Sequence, residues 1–276
     1  MPTTVVQITD LHVVTEGDLL PGGLDPVPPL MTVLDAIVAA GDPIAAVLFT
    51  GDLVDRGDPA SYRRLRGIVE PFVARLGAPA LFAAGNHDDR SALREHLLGV
   101  PPSTAPLDHV TRIGGVRVVV LDSTVPGHAY GELTDDQLAW LADELATPAP
   151  DGTVLALHHP PLPSPSRLIQ GIGLRDRAGL GDVLAGSDVR VVLSGHTHVT
   201  SAGTLAGIPV WVGASTATTW YGLTPEGGEA TVRAPGVSRI DLFPDGELLA
   251  SSIPVGATPI GSLSNAEIDE VIATQG

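Results

Sequence analysis

Short apolar runs, each ending in a cluster of polar residues, recur along this chain and restrict its fold more than any other feature. They occupy residues 5–9, 45–50, 80–84, 116–121, 154–157 and 191–194. Runs of this length without alternating polar positions are typical of strands that are buried on both faces of a sheet. We therefore predict strands at these positions, with the polar clusters just beyond the strand ends.

Helical signals lie between several of the predicted strands. Asp58 and Pro59 suit the N-cap and first position of a helix that continues to about residue 76. Thr134 and Gln137 have the spacing of a capping box that opens a helix over 138–145. Helices are also predicted over 31–40 and 175–184, and a short final helix near 265–273. Strands that alternate with helices predict a layered α/β fold with much parallel pairing.

The pattern changes after residue 205. Predicted strands at 208–212, 231–242 and 247–253 are separated by turns instead of helices, which predicts an antiparallel section of sheet. The proline-rich stretch 160–165 excludes helix and central strand, and an extended loop is predicted there. For a chain of 276 residues we predict one domain over 1–276, with a core at about 5–255 and a C-terminal tail at about 256–276.

The residue composition excludes several classes of function. A net charge of −17 argues against a basic patch for duplex nucleic acid or an anionic membrane, so neither is an expected partner. All 15 basic residues are arginine, which excludes a lysine Schiff base and a P-loop lysine, and the absence of cysteine excludes thiolate chemistry. Because the N-terminus lacks a signal-peptide pattern and no apolar run is long enough to span a membrane, we expect a soluble cytoplasmic protein.

Five clusters of metal-binding residue types directly follow predicted strands. They are D-L-H at 10–12, G-D-L-V-D-R-G at 51–57, G-N-H-D at 85–88, H-H-P-P at 158–161 and G-H-T-H at 195–198. Each fragment alone occurs by chance in many chains. In open α/β sheets, however, ligands bind beyond the carboxyl ends of the strands, so five such clusters indicate convergence on one crevice.

In their order and composition, these clusters resemble the signature of the calcineurin-like metallophosphoesterases, which reads D-x-H, G-D-x-x-D, G-N-H-[DE], H and G-H-x-H. The resemblance extends over about residues 5–215. The H-H-P-P turn, the G-N-H-D-D run at 85–89 and Asp122-Ser123 at a predicted strand end are similar to the bacterial class III cyclic nucleotide phosphodiesterases. The resemblance implies a four-layer αββα sandwich with two central mixed β-sheets and a dinuclear metal site at the C-terminal ends of the strands.

The same resemblance implies a set of metal ligands. One ion would be held by Asp10, His12, Asp52 and His198, and the other by Asp52, Asn86, His158 and His196. Asp52 would bridge the two ions, which repel each other at a separation of about 3.5–4 Å and need an anion between them. Oxygen and imidazole ligands without thiolate suit manganese, iron, zinc or cobalt, as two divalent or trivalent ions per chain.

Three further residues would act on the substrate, again by resemblance. His87 would contact the phosphate or protonate the leaving alkoxide. Asp55 occupies the position that pairs with this histidine in related phosphatases. Arg56 would either reach the phosphate or lie in solvent.

Other polar residues near the motifs are given supporting roles. His159 follows a predicted ligand and should face the other way, so support of a ligand or of the fold is favoured over ligation. Asp88 and Asp89 either orient His87 or cap the following helix, and capping is favoured. The histidines outside the motifs are expected at the surface, at positions 96, 109 and 128.

Two loops are expected to select the substrate, at 162–175 and 214–225. The second contains Trp220 and Tyr221, placed in a loop after the last core strand. An aromatic side chain there either stacks on a base or forms an ordinary hydrophobic patch.

The leading hypothesis is a metal-dependent phosphodiesterase that hydrolyses 3′,5′- or 2′,3′-cyclic nucleotides through a hydroxide activated by two metal ions. The alternatives are a broad-specificity phosphomonoesterase or glycerophosphodiesterase on the same site, and a catalytically silent metal-binding regulatory protein. A nuclease is disfavoured by the acidity of the chain. The expected partner is a small anionic phosphate ester, and the resemblance allows a homodimer.

Overall fold

The computed structural model of the chain describes residues 1–164, 166–222, 224, 228–258 and 260–275. Its strands are β1 (Thr3–Ile8), β2 (Ala46–Thr50), β3 (Ala80–Ala83), β4 (His109–Ile113), β5 (Val116–Leu121), β6 (Thr153–Leu157), β7 (Val189–Ser194), β8 (Ser201–Leu205), β9 (Ile208–Val212), β10 (Thr219–Tyr221), β11 (Ala230–Val232), β12 (Gly236–Leu242) and β13 (Leu248–Pro254). Its helices are α1 (Val27–Ala40), α2 (Pro59–Leu76), α3 (Arg90–Ala92, followed by a π-helix at Leu93–Leu98), α4 (Asp135–Leu145), α5 (Arg167–Gly171), α6 (Arg177–Leu184) and α7 (Asn265–Gln275).

Two mixed sheets form the centre of the fold. The first has the order β13-β12-β1-β2-β3, in which β1, β2 and β3 are parallel and β12 and β13 are antiparallel additions. The second has the order β4-β5-β6-β7-β9-β8, with parallel pairing from β5 to β9 and antiparallel strands at both edges. A small antiparallel hairpin of β10 and β11 lies outside both sheets.

The sheets pack face to face, and a helical layer covers each outer face. Val5 and Leu48 of the first sheet share one core cluster with Val118 and Leu193 of the second. The helices α1 and α2 and the π-helix pack on the outer face of the first sheet, and α4 and α6 on that of the second. The four-layer αββα arrangement that the resemblance implies is therefore confirmed.

The apolar character of the strands follows from this layering. Val5 contacts the opposite sheet, whereas Val6 and Ile8 contact the helical layer, because successive side chains of a strand point to opposite faces. Both faces are covered by apolar layers. A strand in this position has no polar face, which explains the unbroken runs in the sequence.

The local signals placed most elements correctly. Asp58 caps α2 by accepting hydrogen bonds from the backbone N–H groups of Ala60 and Ser61, and Thr134 and Gln137 form the complete capping box of α4. The predicted final helix is present as α7, and its residues 265–274 are exposed. None of the described helices combines the length and the apolar surface that a membrane-spanning helix requires.

Several predicted bounds were wrong. The run at 231–242 is two strands, because Pro235 separates β11, which pairs with β10, from β12, which joins the first sheet. The helix at 31–40 begins earlier, at Val27, and the one at 175–184 begins at Arg177 after the N-cap Asp176. The antiparallel prediction after residue 205 holds for the pair β10–β11 and for the pair β12–β13, but not for β9, which pairs with β7 in parallel.

The edge strands β4 and β8 lie outside the predicted strands. β8 consists mostly of small or polar residues with alternating exposure, so it lacks the apolar run of a central strand. Pro165 of the predicted proline-rich loop lies outside the described residues, and residues 160–164 are neither helix nor strand, as predicted.

One buried arginine joins three elements of the second sheet and its helical layer. Arg117 on β5 is 1% exposed. Its guanidinium donates to Asp188 Oδ1 at 2.7 Å, to Thr153 Oγ1 at 2.9 Å and to the backbone carbonyl of Thr147 at 2.9 Å, and it also contacts the carbonyl of Glu144. The guanidinium of Arg117 thus links the C-terminus of α4 to β5 and β6.

Replacing Arg117 by alanine is expected to lower the free energy of unfolding by about 3–5 kcal/mol, because it leaves Asp188 without its ionic partner in a largely buried position. Urea denaturation followed by circular dichroism measures this. Arg112→Ala is the matched control, since Arg112 lies opposite Arg117 on β4 and is exposed. Equal stability of the two variants would contradict the structural role of Arg117.

Candidate metal centre

The five polar clusters of the sequence follow β1, β2, β3, β6 and β7 directly. The first three strands are parallel neighbours in one sheet, and the last two are parallel neighbours in the other. Backbone hydrogen bonds join the loops: Asp10 N–H donates to the Gly51 carbonyl at 3.1 Å, and His12 N–H to the Asp52 carbonyl at 2.9 Å. Between the sheets, His196 N–H donates to Asp10 Oδ1 at 3.0 Å, so the clusters of both sheets meet at one place.

The backbone at this meeting point is strained. Positive φ values at residues other than glycine are uncommon, and among the described residues seven have them. Five of the seven are predicted metal ligands, namely Asp10, His12, Asp52, His196 and His198. Strained conformations of this kind persist only where surrounding contacts hold them, and they concentrate at functional sites.

The first group of side chains comprises Asp10, His12, Asp52 and His198, whose ligand atoms all lie within 4.8 Å of one another. The Nε2 atoms of His12 and His198 are 3.0 Å apart. His12 Nε2 lies 3.5 Å from Asp52 Oδ2, and His198 Nε2 lies 3.5 Å from Asp10 Oδ1. This is the set predicted for one ion, and three of its four residues are buried.

The second group shares Asp52 with the first. His158 Nε2 lies 3.4 Å from Asp52 Oδ1 and 3.2 Å from Asn86 Oδ1. His196 Nδ1 lies 2.9 Å from the same Asn86 oxygen. Asp52 thus has one carboxylate oxygen toward each group, as a bridging ligand requires.

In several of these histidines, one ring nitrogen faces away from the cluster, toward a backbone carbonyl. This contact determines which of the two ring nitrogens keeps a lone pair for a metal ion. A carbonyl oxygen can only accept, so the ring nitrogen that faces it must carry the hydrogen. This applies to His158 Nδ1 and the Thr50 carbonyl at 2.9 Å, to His196 Nε2 and the Ile172 carbonyl at 3.0 Å, and to His198 Nδ1 and the Thr218 carbonyl at 3.1 Å. In the neutral rings the inward nitrogen then presents a lone pair, the arrangement typical of metal-ligating histidines.

These inward lone pairs face other acceptors. His12 Nδ1 faces the Asp55 carboxylate at 3.4 Å, which leaves its Nε2 as the acceptor that meets His198 Nε2. His158 Nε2 faces a carboxylate oxygen of Asp52. Acceptors that face each other repel unless a proton or a metal ion lies between them, so the donor set fits bound cations.

The titration behaviour of the cluster points the same way. Burial opposes ionisation of Asp52, yet the charge and hydrogen bond of His158, together with the charge of His12, lower the pKa of Asp52 well below its ordinary value. Burial also opposes protonation of His158, but mainly Asp52, and then Asp10, raise the pKa of His158 to about 9. Burial, reinforced by the charge of His158, lowers the pKa of His196 to about 4. The carboxylates thus attract positive charge, which cations can supply in place of protons.

The predicted substrate-acting residues lie at the rim. His87 is 40% exposed at its side chain, and its ring centre is 4.7 Å from that of His12. Its Nδ1 faces the backbone carbonyl of Asp55 at 2.7 Å, whereas the Asp55 carboxylate is 3.7 Å away and closer to His12. His87 therefore pairs with the backbone carbonyl of Asp55 and not with its carboxylate, as the predicted pairing would have it. Arg56 is 71% exposed and lies 3.6 Å from the Asp55 carboxylate.

His159 is buried with both ring nitrogens facing protein oxygens. Nδ1 lies 2.9 Å from Ser123 Oγ, and Nε2 lies 3.2 Å from the Ala129 carbonyl. Its ring centre is 4.5 Å from that of His196, so it supports the ring of a predicted ligand. Burial, with the charges of His158 and His196, lowers the pKa of His159 well below its ordinary value.

Asp88 does not cap a helix, contrary to the prediction. Its carboxylate accepts hydrogen bonds from the backbone N–H groups of Gly85 and Leu53 at 2.8 and 3.1 Å and from the hydroxyl of Tyr62 at 2.8 Å. Asp88 thereby joins the loops after β2 and β3, because the turn at 85–88 points its side chain inward. The cap of α3 is Asp89, which accepts from the Ala92 N–H.

Other sequence interpretations near the site changed as well. Trp220 lies in β10 and not in a loop, because it pairs with Thr231 of β11. The Thr218 and Ile172 carbonyls orient two predicted ligands, and no sequence signal identifies them, since every residue has a carbonyl. Of the two predicted substrate loops, positions 165, 223 and 225 lie outside the described residues.

Comparison with known proteins gives a consistent result. The model of the calcineurin-like phosphoesterase family matches residues 3–200, more than half of the chain. A cAMP/cGMP dual specificity phosphodiesterase of Mycobacterium tuberculosis is 48% identical over 254 residues, which cover 91% of this chain and 79% of that protein. A 3′,5′-cyclic adenosine monophosphate phosphodiesterase of Pseudomonas aeruginosa is 33% identical over 195 residues, covering 70% and 69%. A dimetal phosphatase from Danio rerio has a similar fold, with a TM-score of 0.62, 14% identity and coverage of 93% of this chain and 100% of that one.

Proposed function

The chain belongs to the calcineurin-like phosphoesterase family and is a phosphoric ester hydrolase, and from this premise we propose that it hydrolyses cyclic nucleotides with two bound metal ions. The observation that carries the choice of substrate is the 48% identity, over 91% of this chain, to a protein named as a cAMP/cGMP phosphodiesterase. The convergence of acidic, amide and imidazole groups at one site supports the choice of mechanism.

The proposal assigns each cation a set of ligands from this chain. Asp10, His12, Asp52 and His198 would hold one ion, and Asp52, Asn86, His158 and His196 the other. When bound, the two ions would supply Lewis acidity to the phosphate ester and to the water that attacks it. The donor set suits manganese, iron, zinc or cobalt. The two carboxylate ligands neutralise only part of the charge of two such ions. The site therefore keeps a local positive charge that attracts a phosphate ester despite the acidity of the whole chain.

The proposed proton donor is His87. Because the Asp55 carbonyl accepts the hydrogen of His87 Nδ1, the other ring nitrogen, Nε2, is the one that exchanges a proton with the substrate. Protonated at Nε2, His87 would give this proton to the leaving alkoxide. The backbone N–H of His87 donates to Asp52 Oδ1 at 2.9 Å, which positions the residue relative to the cluster.

Asp55 and Arg56 have accessory roles in this proposal. The Asp55 carboxylate accepts from His12 Nδ1 and so orients the ring of a proposed ligand, which is also the main reason that the pKa of Asp55 is lowered. Arg56 is exposed beside the Asp55 carboxylate and, in this proposal, would contact a phosphate oxygen from the rim.

The function is tested with purified protein supplied with manganese. We expect turnover of cAMP and cGMP, and faster turnover of bis-p-nitrophenyl phosphate than of p-nitrophenyl phosphate. Elemental analysis should find about two transition-metal ions per chain. Protein with Asp52→Asn, purified in parallel, controls for contaminating phosphatases. Faster turnover of the monoester, or no turnover of any cyclic nucleotide, would contradict the proposal.

A further inference from the structure

A pocket of about 240 Å³ lies against the metal-ligand cluster and has an apolar outer wall. The α5 segment contributes Leu168, Ile169 and Ile172, and the β10–β11 hairpin contributes Trp220 and Thr231. We refer to Leu168, Ile169, Ile172 and Trp220 as the apolar wall, and Thr231 pairs with Trp220 beside it. Leu168 is 64% exposed, which is a large apolar exposure beside a polar site.

Each half of the apolar wall is joined to a proposed metal ligand. The backbone carbonyl of Ile172 accepts from His196 Nε2 at 3.0 Å. On the other side, Trp220 N–H donates to the His198 carbonyl at 3.0 Å. The position of the wall is therefore set relative to the cluster by short backbone contacts.

Glu229 connects the two halves to each other. Its Oε2 atom accepts a hydrogen bond from Ser166 Oγ at 3.0 Å and another from Trp220 Nε1 at 3.0 Å. Ser166 is the N-cap of α5 and accepts from the Ile169 N–H at 3.1 Å. One carboxylate oxygen thus ties the start of α5 to the indole of the hairpin.

The backbone of Gly222 also limits the position of the Trp220 indole. A side-chain carbon added at Gly222 would collide with the six-membered ring of Trp220. The ring is held at its nitrogen by Glu229 and along its benzo edge by the glycine backbone. Because the colliding atoms are the far end of a side chain, substitution of Gly222 is expected to displace the ring and not the fold.

We propose that Glu229 is a positioning residue that holds the apolar wall together, and that this wall is a binding subsite for a flat ring on the ester arm of the substrate. A phosphate bound at the cluster places its ester arm next to the wall, where Trp220 and Leu168 offer an aromatic face and an aliphatic contact. The inference rests on the proposed function for the binding of phosphate at the cluster and for identifying that ring as a nucleobase.

The test compares two phosphonates that share the anionic group and differ in the ring. Dissociation constants of phenylphosphonate and methylphosphonate are measured by calorimetry on the manganese-loaded protein, so no turnover is needed. Glu229→Ala should raise the dissociation constant of phenylphosphonate by about 3- to 10-fold, which is the range expected for one aromatic contact. The dissociation constant of methylphosphonate should stay unchanged. Glu229→Gln, whose amide oxygen still accepts, should restore most of the loss. Gly222→Ala should reproduce the loss, and Glu247→Ala, on the exposed turn before β13, should not.

Equal weakening of both phosphonates would mean that Glu229 acts on the metal ligands, and it would overturn the subsite. Unchanged binding of both would overturn the role of Glu229. In the enzymatic assay the same variants should raise KM for cAMP with little change in kcat. If the parent protein turned over no cyclic nucleotide, the proposed function would fail while the difference between the two phosphonates could still hold.

Discussion

Replacement of Asp52 by asparagine is expected to lower kcat/KM for bis-p-nitrophenyl phosphate by about 1000-fold or more and to reduce bound metal to at most about one ion per chain. Asp52 is 2% exposed and is the one side chain that belongs to both ligand groups. The amide keeps the shape of the carboxylate but removes the negative charge between two cations, so their mutual repulsion is no longer offset. Activity and elemental analysis are measured on the same preparation.

The control for this prediction is Asp18→Asn, which makes the same chemical change on an exposed loop. It should keep full activity and both ions. An Asp52→Asn protein that kept two ions and normal turnover would show that Asp52 does not bridge a dinuclear centre. Circular dichroism spectra of the two variants test whether unfolding is the cause of a loss.

Replacement of His87 by alanine is expected to lower kcat by about 100- to 10,000-fold while both metal ions stay bound. The reason is geometric: His87 lies at the rim with its Nδ1 held by a backbone carbonyl, and it is not among the proposed ligands of either ion. The loss should be smaller for bis-p-nitrophenyl phosphate than for cAMP, because p-nitrophenolate is a good leaving group and needs a proton less than a ribose alkoxide does.

The matched control is His128→Ala, an exposed histidine outside the site. Parental activity in His87→Ala would refute its role as proton donor. Loss of metal in the same variant would instead place His87 among the residues that hold the cluster. A similar loss for both substrates would indicate that His87 contacts the phosphate and does not protonate the leaving group.

Much of the framework follows from local sequence alone. The apolar runs located the central strands because a strand covered on both faces has to be apolar at every position. The helix caps at Asp58 and Thr134 can be predicted from the sequence because a cap is made by residues within three positions of each other. The strand ends located the five polar clusters, and the resemblance of these clusters to the family signature selected the proposed ligands among them.

Tertiary structure alone decided how these groups are supported. The inward direction of the imidazole lone pairs depends on the carbonyls of Thr50, Ile172 and Thr218, and carbonyls are common to all residues, so no residue type marks them. Asp88 has the composition of a cap, yet it joins two loops because its neighbours lie 35 and 26 positions away in the chain. The link from Glu229 to Ser166 spans 63 positions. Contacts between distant residues depend on how the layers pack, and short-range sequence patterns hold no information about that.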